Sequence, residues 1–148
     1  MTIVEVVLLS AADGALRYRT ESAPLPPGVH PDDLALHLSG LTLCTPGATL
    51  HSTSWRFAAE SVVLTYAALP DPAPADTNPL SPDRMVTGHA ALAPSPPKVD
   101  TDAVAAHAAR HLALLAQTDP VIATAAAAQP PLWDLLAKLP TGLAGALR

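Results

Sequence analysis

Two histidines stand four apart in the run His107-Ala-Ala-Arg110-His111. On a helix that spacing puts both imidazoles on one face about a turn apart, as metal ligands require. The glutamate that zincins carry between such histidines is missing. A metal would need further donors, with His51, His89, Asp100, Asp102 and Cys44 on offer. The plainer reading is a half-buried pair at the edge of an apolar stripe, with Arg110 exposed. A second concentration of chemistry is His51-Ser52-Thr53-Ser54-Trp55-Arg56. Hydroxyls, an imidazole, an indole and a guanidinium within one short segment could line a small-molecule pocket. Arg56 could grip a carboxylate or phosphate through two parallel N–H bonds. His51, Trp55 and Arg56 are therefore the residues expected at a ligand site. Plain strand alternation is the competing account, with His51, Thr53, Trp55 and Phe57 on one face and Ser52, Ser54 and Arg56 in water.

Other chemistries find less to work with. Ser52, Ser54, His51, His89 and several Asp exist, but no Gly-x-Ser-x-Gly elbow strains or exposes a serine. No Gly-x-Gly-x-x-Gly and no phosphate-cradling P-loop occurs. Cys44 lies among apolar neighbours without an adjacent base, as expected of a buried, inert thiol. Glutamate occurs only at Glu5, Glu21 and Glu60, so the clustered carboxylates of metal-dependent phosphate hydrolysis are absent. The close pairs Asp32-Asp33 and Asp100/Asp102 stand where helix N-termini favour negative charge.

The elements that must position these residues can be read from periodicity. Residues 2–12 are β-branched and apolar on both faces, which predicts a central strand covered on two sides. Asp13-Gly14 is the strongest short hairpin signal, and residues 15–20 return as a second strand. Residues 21–29, with Pro24, Pro26 and Pro27, read as a stiff loop. Pro31 and the following aspartates open a helix that Gly40 closes, with Leu34, Leu38 and Leu41 expected inward. Residues 48–57 and 61–69 form a second hairpin. The proline-rich stretch 70–83 reads as a surface loop or a flexible excursion. A further strand is expected over 84–92, and a turn over 94–98. The clearest helix spans 102–117, with Val104, Ala108, His111, Leu112 and Leu115 as its stripe. Two more helices follow, one opened by Asp119-Pro120 and running to 128, the other over 132–139 after Pro130-Pro131.

Composition narrows the function classes. The chain has 148 residues, 49% hydrophobic and 14% charged, with 30 alanines and 17 prolines. That is a folded globule rather than a disordered chain. Net charge is −5 and the basic residues are scattered, so no nucleic-acid partner and no anionic membrane surface is expected. No apolar run approaches the ~18 residues of a membrane span, and the N-terminus has no signal-peptide pattern. One cysteine excludes an intrachain disulfide. A cytoplasmic location is the expectation, and no cofactor is called for.

The run Leu50-His51-Ser52-Thr53-Ser54-Trp55-Arg56, then Val62-Val63-Leu64-Thr65-Tyr66, a proline-rich loop and His107-Ala-Ala-Arg110-His111 is similar to small bacterial proteins rich in alanine and proline. That resemblance implies no particular activity. The order of elements also loosely resembles a Nudix-type sandwich. The glutamate-rich box that carries metal-dependent pyrophosphate hydrolysis in that family is absent, so no catalytic residue transfers.

The sequence thus predicts an α+β fold: a mostly antiparallel sheet of about five strands with a helical C-terminal third packed on it. Residues 1–148 read as a single domain, strand-rich over 1–92 and helical over 100–139. The leading function is a non-enzymatic domain that binds a small ligand or protein partner near His51, Trp55 and Arg56. An alternative is a His-dependent, metal-assisted enzyme using His107, His111 and one of His51 or His89. It requires those imidazoles to converge within ~5 Å. A third is a structural subunit of an assembly. A homodimer could form through a strand edge, or through apolar surface at Leu132, Trp133, Leu136 and residues 143–147.

Overall fold

The structure is a computed structural model that describes residues 1–42, 45–80 and 101–139. Its five strands are β1 (Thr2–Ala12), β2 (Ala15–Pro24), β3 (Thr49–Ala58), β4 (Ser61–Leu69) and β5 (Asn78–Pro79). The helices are α1 (Pro31–Ser39), α2 (Thr101–Thr118), α3 (Pro120–Ala127) and α4 (Pro130–Ala137). The strands form one sheet in the order β3-β4-β1-β2-β5. Three of its pairings are antiparallel; β1 and β4 run parallel. The fold is α+β with a mixed sheet.

β1 is central and buried on both faces, as its two apolar sets require. Val4, Val6 and Leu8 pack with Tyr66, Ala68 and Ala35 of α1. Val7 and Leu9 pack on the opposite face with Ala67, Leu69 and the helices α2, α3 and α4. Asp13 and Gly14 both take positive φ, 53° and 74°, the geometry a tight β1–β2 turn needs. α1 is capped by the His30 side chain, which accepts from the Asp32 N–H at 3.1 Å, and it closes on Gly40 in the left-handed region. Ala35 and Ser39 are its most deeply buried residues. Leu34 and Leu38, expected inward, are only partly buried at the cluster's margin.

Several expectations need correction. β2 continues to Pro24, because Ile3 through Val6 of β1 still offer it partners beyond Thr20. The proline-rich stretch is not a free excursion. Asp71, buried, takes a two-pronged bond from Arg19 at 2.7 and 2.9 Å. Arg17 donates to the Thr77 hydroxyl and carbonyl at 2.7 and 2.6 Å. β5 pairs with β2, and Leu80 is buried behind it. Arg17 and Arg19 therefore fasten this loop along β2. Leu132, Trp133 and Leu136 lie in the core and offer no outer surface. The expected strand 84–92, the turn 94–98, His89, Asp100, Cys44 and the 143–147 tail lie outside the described residues.

Candidate functional site

β3 is an outermost strand, and one irregularity decides what each of its side chains does. Its register with β4 runs Thr49↔Leu69, Leu50↔Ala68, His51↔Ala67 and Ser52↔Tyr66. It then jumps to Ser54↔Thr65, Trp55↔Leu64, Arg56↔Val63 and Phe57↔Val62. Thr53 is the extra residue of a β-bulge. Because side chains alternate with period two, one inserted residue swaps the faces beyond it. His51 shares the α2 face with Ser54 and Arg56. Trp55 and Phe57 share the other face with Leu50 and Ser52. Simple alternation grouped His51 with Trp55 and Arg56 with Ser52; the bulge separates both pairs.

On the α2 face, Arg56 is fully engaged inside the fold. Its Nη1 donates to Glu5 Oε1 at 3.0 Å and to the Thr65 hydroxyl at 3.2 Å, and its Nη2 donates to Glu5 Oε2 at 3.4 Å. Thr65, buried, donates to Glu5 Oε1 at 3.0 Å. Parallel pairing of β1 and β4 sets Glu5 directly beside Thr65, which brings the three together. The guanidinium fork expected to grip a ligand is closed on Glu5.

The same face gathers three imidazoles. His107 and His111 of α2 have ring centroids 6.1 Å apart, and His51 of β3 lies 5.7 Å from His111. His51 Nδ1 lies 2.8 Å from the Ser52 carbonyl. A carbonyl only accepts, so Nδ1 carries the proton and Nε2 keeps its lone pair. The Thr53 backbone, at the bulge, stands close enough to the His107 ring to favour its protonated form. Burial holds His107 below the usual histidine range; the Thr53 bond opposes this and nearby Arg110 adds to it. Burial also lowers His111, with smaller contributions from His107 and His51. Of the two rings the sequence offered as a third, His51 stands beside His111, and His89 lies outside the described residues. Among the described residues, no group of three His, Cys, Asp or Glu side chains is arranged to hold a metal ion with its side chains as they stand.

The opposite face carries recognition chemistry of another kind. Trp55 is 62% and Phe57 67% exposed, and their rings meet edge to face at 5.4 Å. Among the described residues, no strand pairs with the outer edge of β3. Further along, Asp32, Asp33, Leu36, Leu50, Ser52 and Tyr66 line an open groove between α1 and β3. The Tyr66 hydroxyl donates to Asp32 across it. Burial and that carboxylate push the Tyr66 phenol well above its usual range. The sequence singled out Trp55 as a ligand-site residue, but Phe57 read only as the packed side of an alternating strand. No described helix is long and apolar enough to cross a membrane. No protein family, curated protein or solved structure matches the chain.

Proposed function

We propose that this protein is a non-enzymatic binding domain that recognises a protein partner in the cytoplasm through the outer edge of β3. Trp55 and Phe57 are its anchors. The observation that carries this reading is their exposure as a mutually packed pair on a strand whose outer edge pairs with no other strand among the described residues. A chain with five aromatic residues, Tyr18, Tyr66, Trp133, Trp55 and Phe57, leaves two of them side by side in solvent. Tryptophan is the most enriched anchor at protein interfaces, and large exposed apolar groups cost free energy unless they are covered. The outer edge of β3, which pairs with no strand among the described residues, suits an extended partner segment that adds as a strand.

A photo-crosslinking amino acid in place of Phe57, used in the producing cell, tests this. The expected result is one discrete adduct, lost when Trp55→Ala is introduced while the melting point stays within about 2 °C. No adduct, or an adduct indifferent to Trp55→Ala, would remove the assignment. An adduct of twice the chain's mass would identify the partner as a second copy of this protein.

A further inference from the structure

We propose that the segment docking at the β3 edge is basic, with a lysine or arginine that seats in the groove between α1 and β3 against Asp32 and Asp33. This rests on the reading that an extended partner adds at that edge, and it names the chemistry of the partner. Ser52 stands opposite Tyr66, Trp55 opposite Leu64 and Phe57 opposite Val62, so all six share the face of the sheet on which α1 packs. Tyr66 is buried there, whereas Trp55 and Phe57 are left exposed. The groove lined by Leu50, Ser52 and the first turn of α1 therefore runs on into the aromatic pair without a change of face.

The acidic end of this surface has no cation of its own among the described residues. Asp32, its side chain 65% exposed, takes the Tyr66 hydroxyl on one oxygen. Its other oxygen lies 3.8 Å from His30 Nδ1, but that nitrogen accepts the Asp32 N–H and so keeps a lone pair in place of a proton. Asp33 is exposed and forms no ion pair among the described residues. No described Lys or Arg lines the groove. The N-terminus of α1 favours both carboxylates where they stand, which accounts for the charge but not for the apolar surface that continues from it. A lysine or arginine suits this end, because its stem can lie along Leu36 and Leu50 while its head reaches the carboxylates. A second copy of the chain does not, because the one charged residue of its β3, Arg56, is closed on Glu5. The bulge sets the spacing. From Ser52 to Phe57 β3 uses five residues where β4, from Tyr66 to Val62, uses four. A partner strand on the outer edge spans the same interval in about four, an even number that keeps both side chains on one face. The partner therefore carries a basic residue and an apolar one about four positions apart.

The test places a photo-crosslinking amino acid at Ser52 of the full chain in the producing cell, in parallel with the one at Phe57. The expected result is one adduct common to both positions. The peptide attached at Ser52 should carry Lys or Arg within about two residues of the attachment point and an apolar residue about four further on. Asp33→Lys should lower the Ser52 adduct by about fivefold with the far-UV spectrum unchanged. Asp134→Lys, which alters an exposed carboxylate on α4, should leave the adduct as it is. Should Asp33→Lys fail to fold, Asp33→Asn removes the charge alone and should lower the adduct by about twofold. An adduct from Phe57 with none from Ser52 overturns the basic-segment assignment and leaves edge recognition standing; no adduct from either position removes both. An attached peptide without Lys or Arg, an adduct of twice the chain's mass, or a Ser52 adduct indifferent to the charge at Asp33 would also overturn it.

Discussion

Arg56 uses both arms of its guanidinium inside the fold, and that changes what its loss would do. Arg56→Met keeps the aliphatic packing but leaves the Glu5 carboxylate beside buried Thr65 without its counter-charge. The pair is 19% and 15% exposed, so water moderates the effect relative to a fully buried ion pair. The expected destabilisation is about 2 kcal/mol, read from the urea midpoint. The crosslinked adduct from position 57 should persist, because Arg56 lies on the other face of β3. An adduct lost at unchanged stability would return Arg56 to the binding site. Nothing local in the sequence distinguishes these outcomes. Glu5 is 51 residues away, and only the parallel β1–β4 pairing brings it to Thr65 and Arg56. A bidentate arginine reads the same whether its carboxylate belongs to a ligand or to the protein.

Element boundaries were far more legible than element contacts. Residues 2–12, 31–39 and 61–69 coincide with β1, α1 and β4, because their signals are local: an apolar run, a proline and a left-handed glycine, a clean alternation. The bulge at Thr53 was invisible, since its neighbours suit either face, and it alone moved Trp55 away from His51. The proline-rich loop was misread for a related reason. Its anchors, Arg17 and Arg19, sit on a different strand. Gly47 is a third case of a long-range constraint. It holds φ +79°, and an added Cβ would lie 2.4 Å from Gln129 Cγ and 2.9 Å from the Ala125 carbonyl. Gln129 in turn donates to the Pro46 carbonyl at 2.9 Å, which holds this turn against the α3–α4 junction. Gly47→Ala should therefore cost about 2 kcal/mol, a melting point lower by roughly 5 °C, through both backbone strain and overlap. Gly14→Ala, also at positive φ but with open space around it, should cost less. Equal losses in the two variants would mean that backbone conformation alone, rather than the packed junction, sets the requirement.

Across the whole molecule, the helical layer meets the sheet partly through neutral imidazoles, and this gives stability a pH dependence. His107 and His111 both have folded-state pKa values below the 6.5 of an unconstrained histidine, chiefly from burial. Between those lowered values and 6.5 the unfolded chain binds more protons than the folded one, so stability falls as pH falls. Above about pH 7.5 both states are neutral at these positions and the contribution is flat. Below the folded-state values it is flat again, because both states are then protonated. In chelator-treated protein the melting point should therefore drop by a few degrees, about 3 °C, between pH 7.5 and 5.5. That window lies above the ordinary carboxylate range near 4, so the loss is assigned to histidine. His107→Gln combined with His111→Gln should flatten it. A melting point that rises on acidification, or a double variant that keeps the slope, would place the responsible groups elsewhere. The aromatic edge of β3, on the opposite face of the sheet, should remain indifferent to this titration.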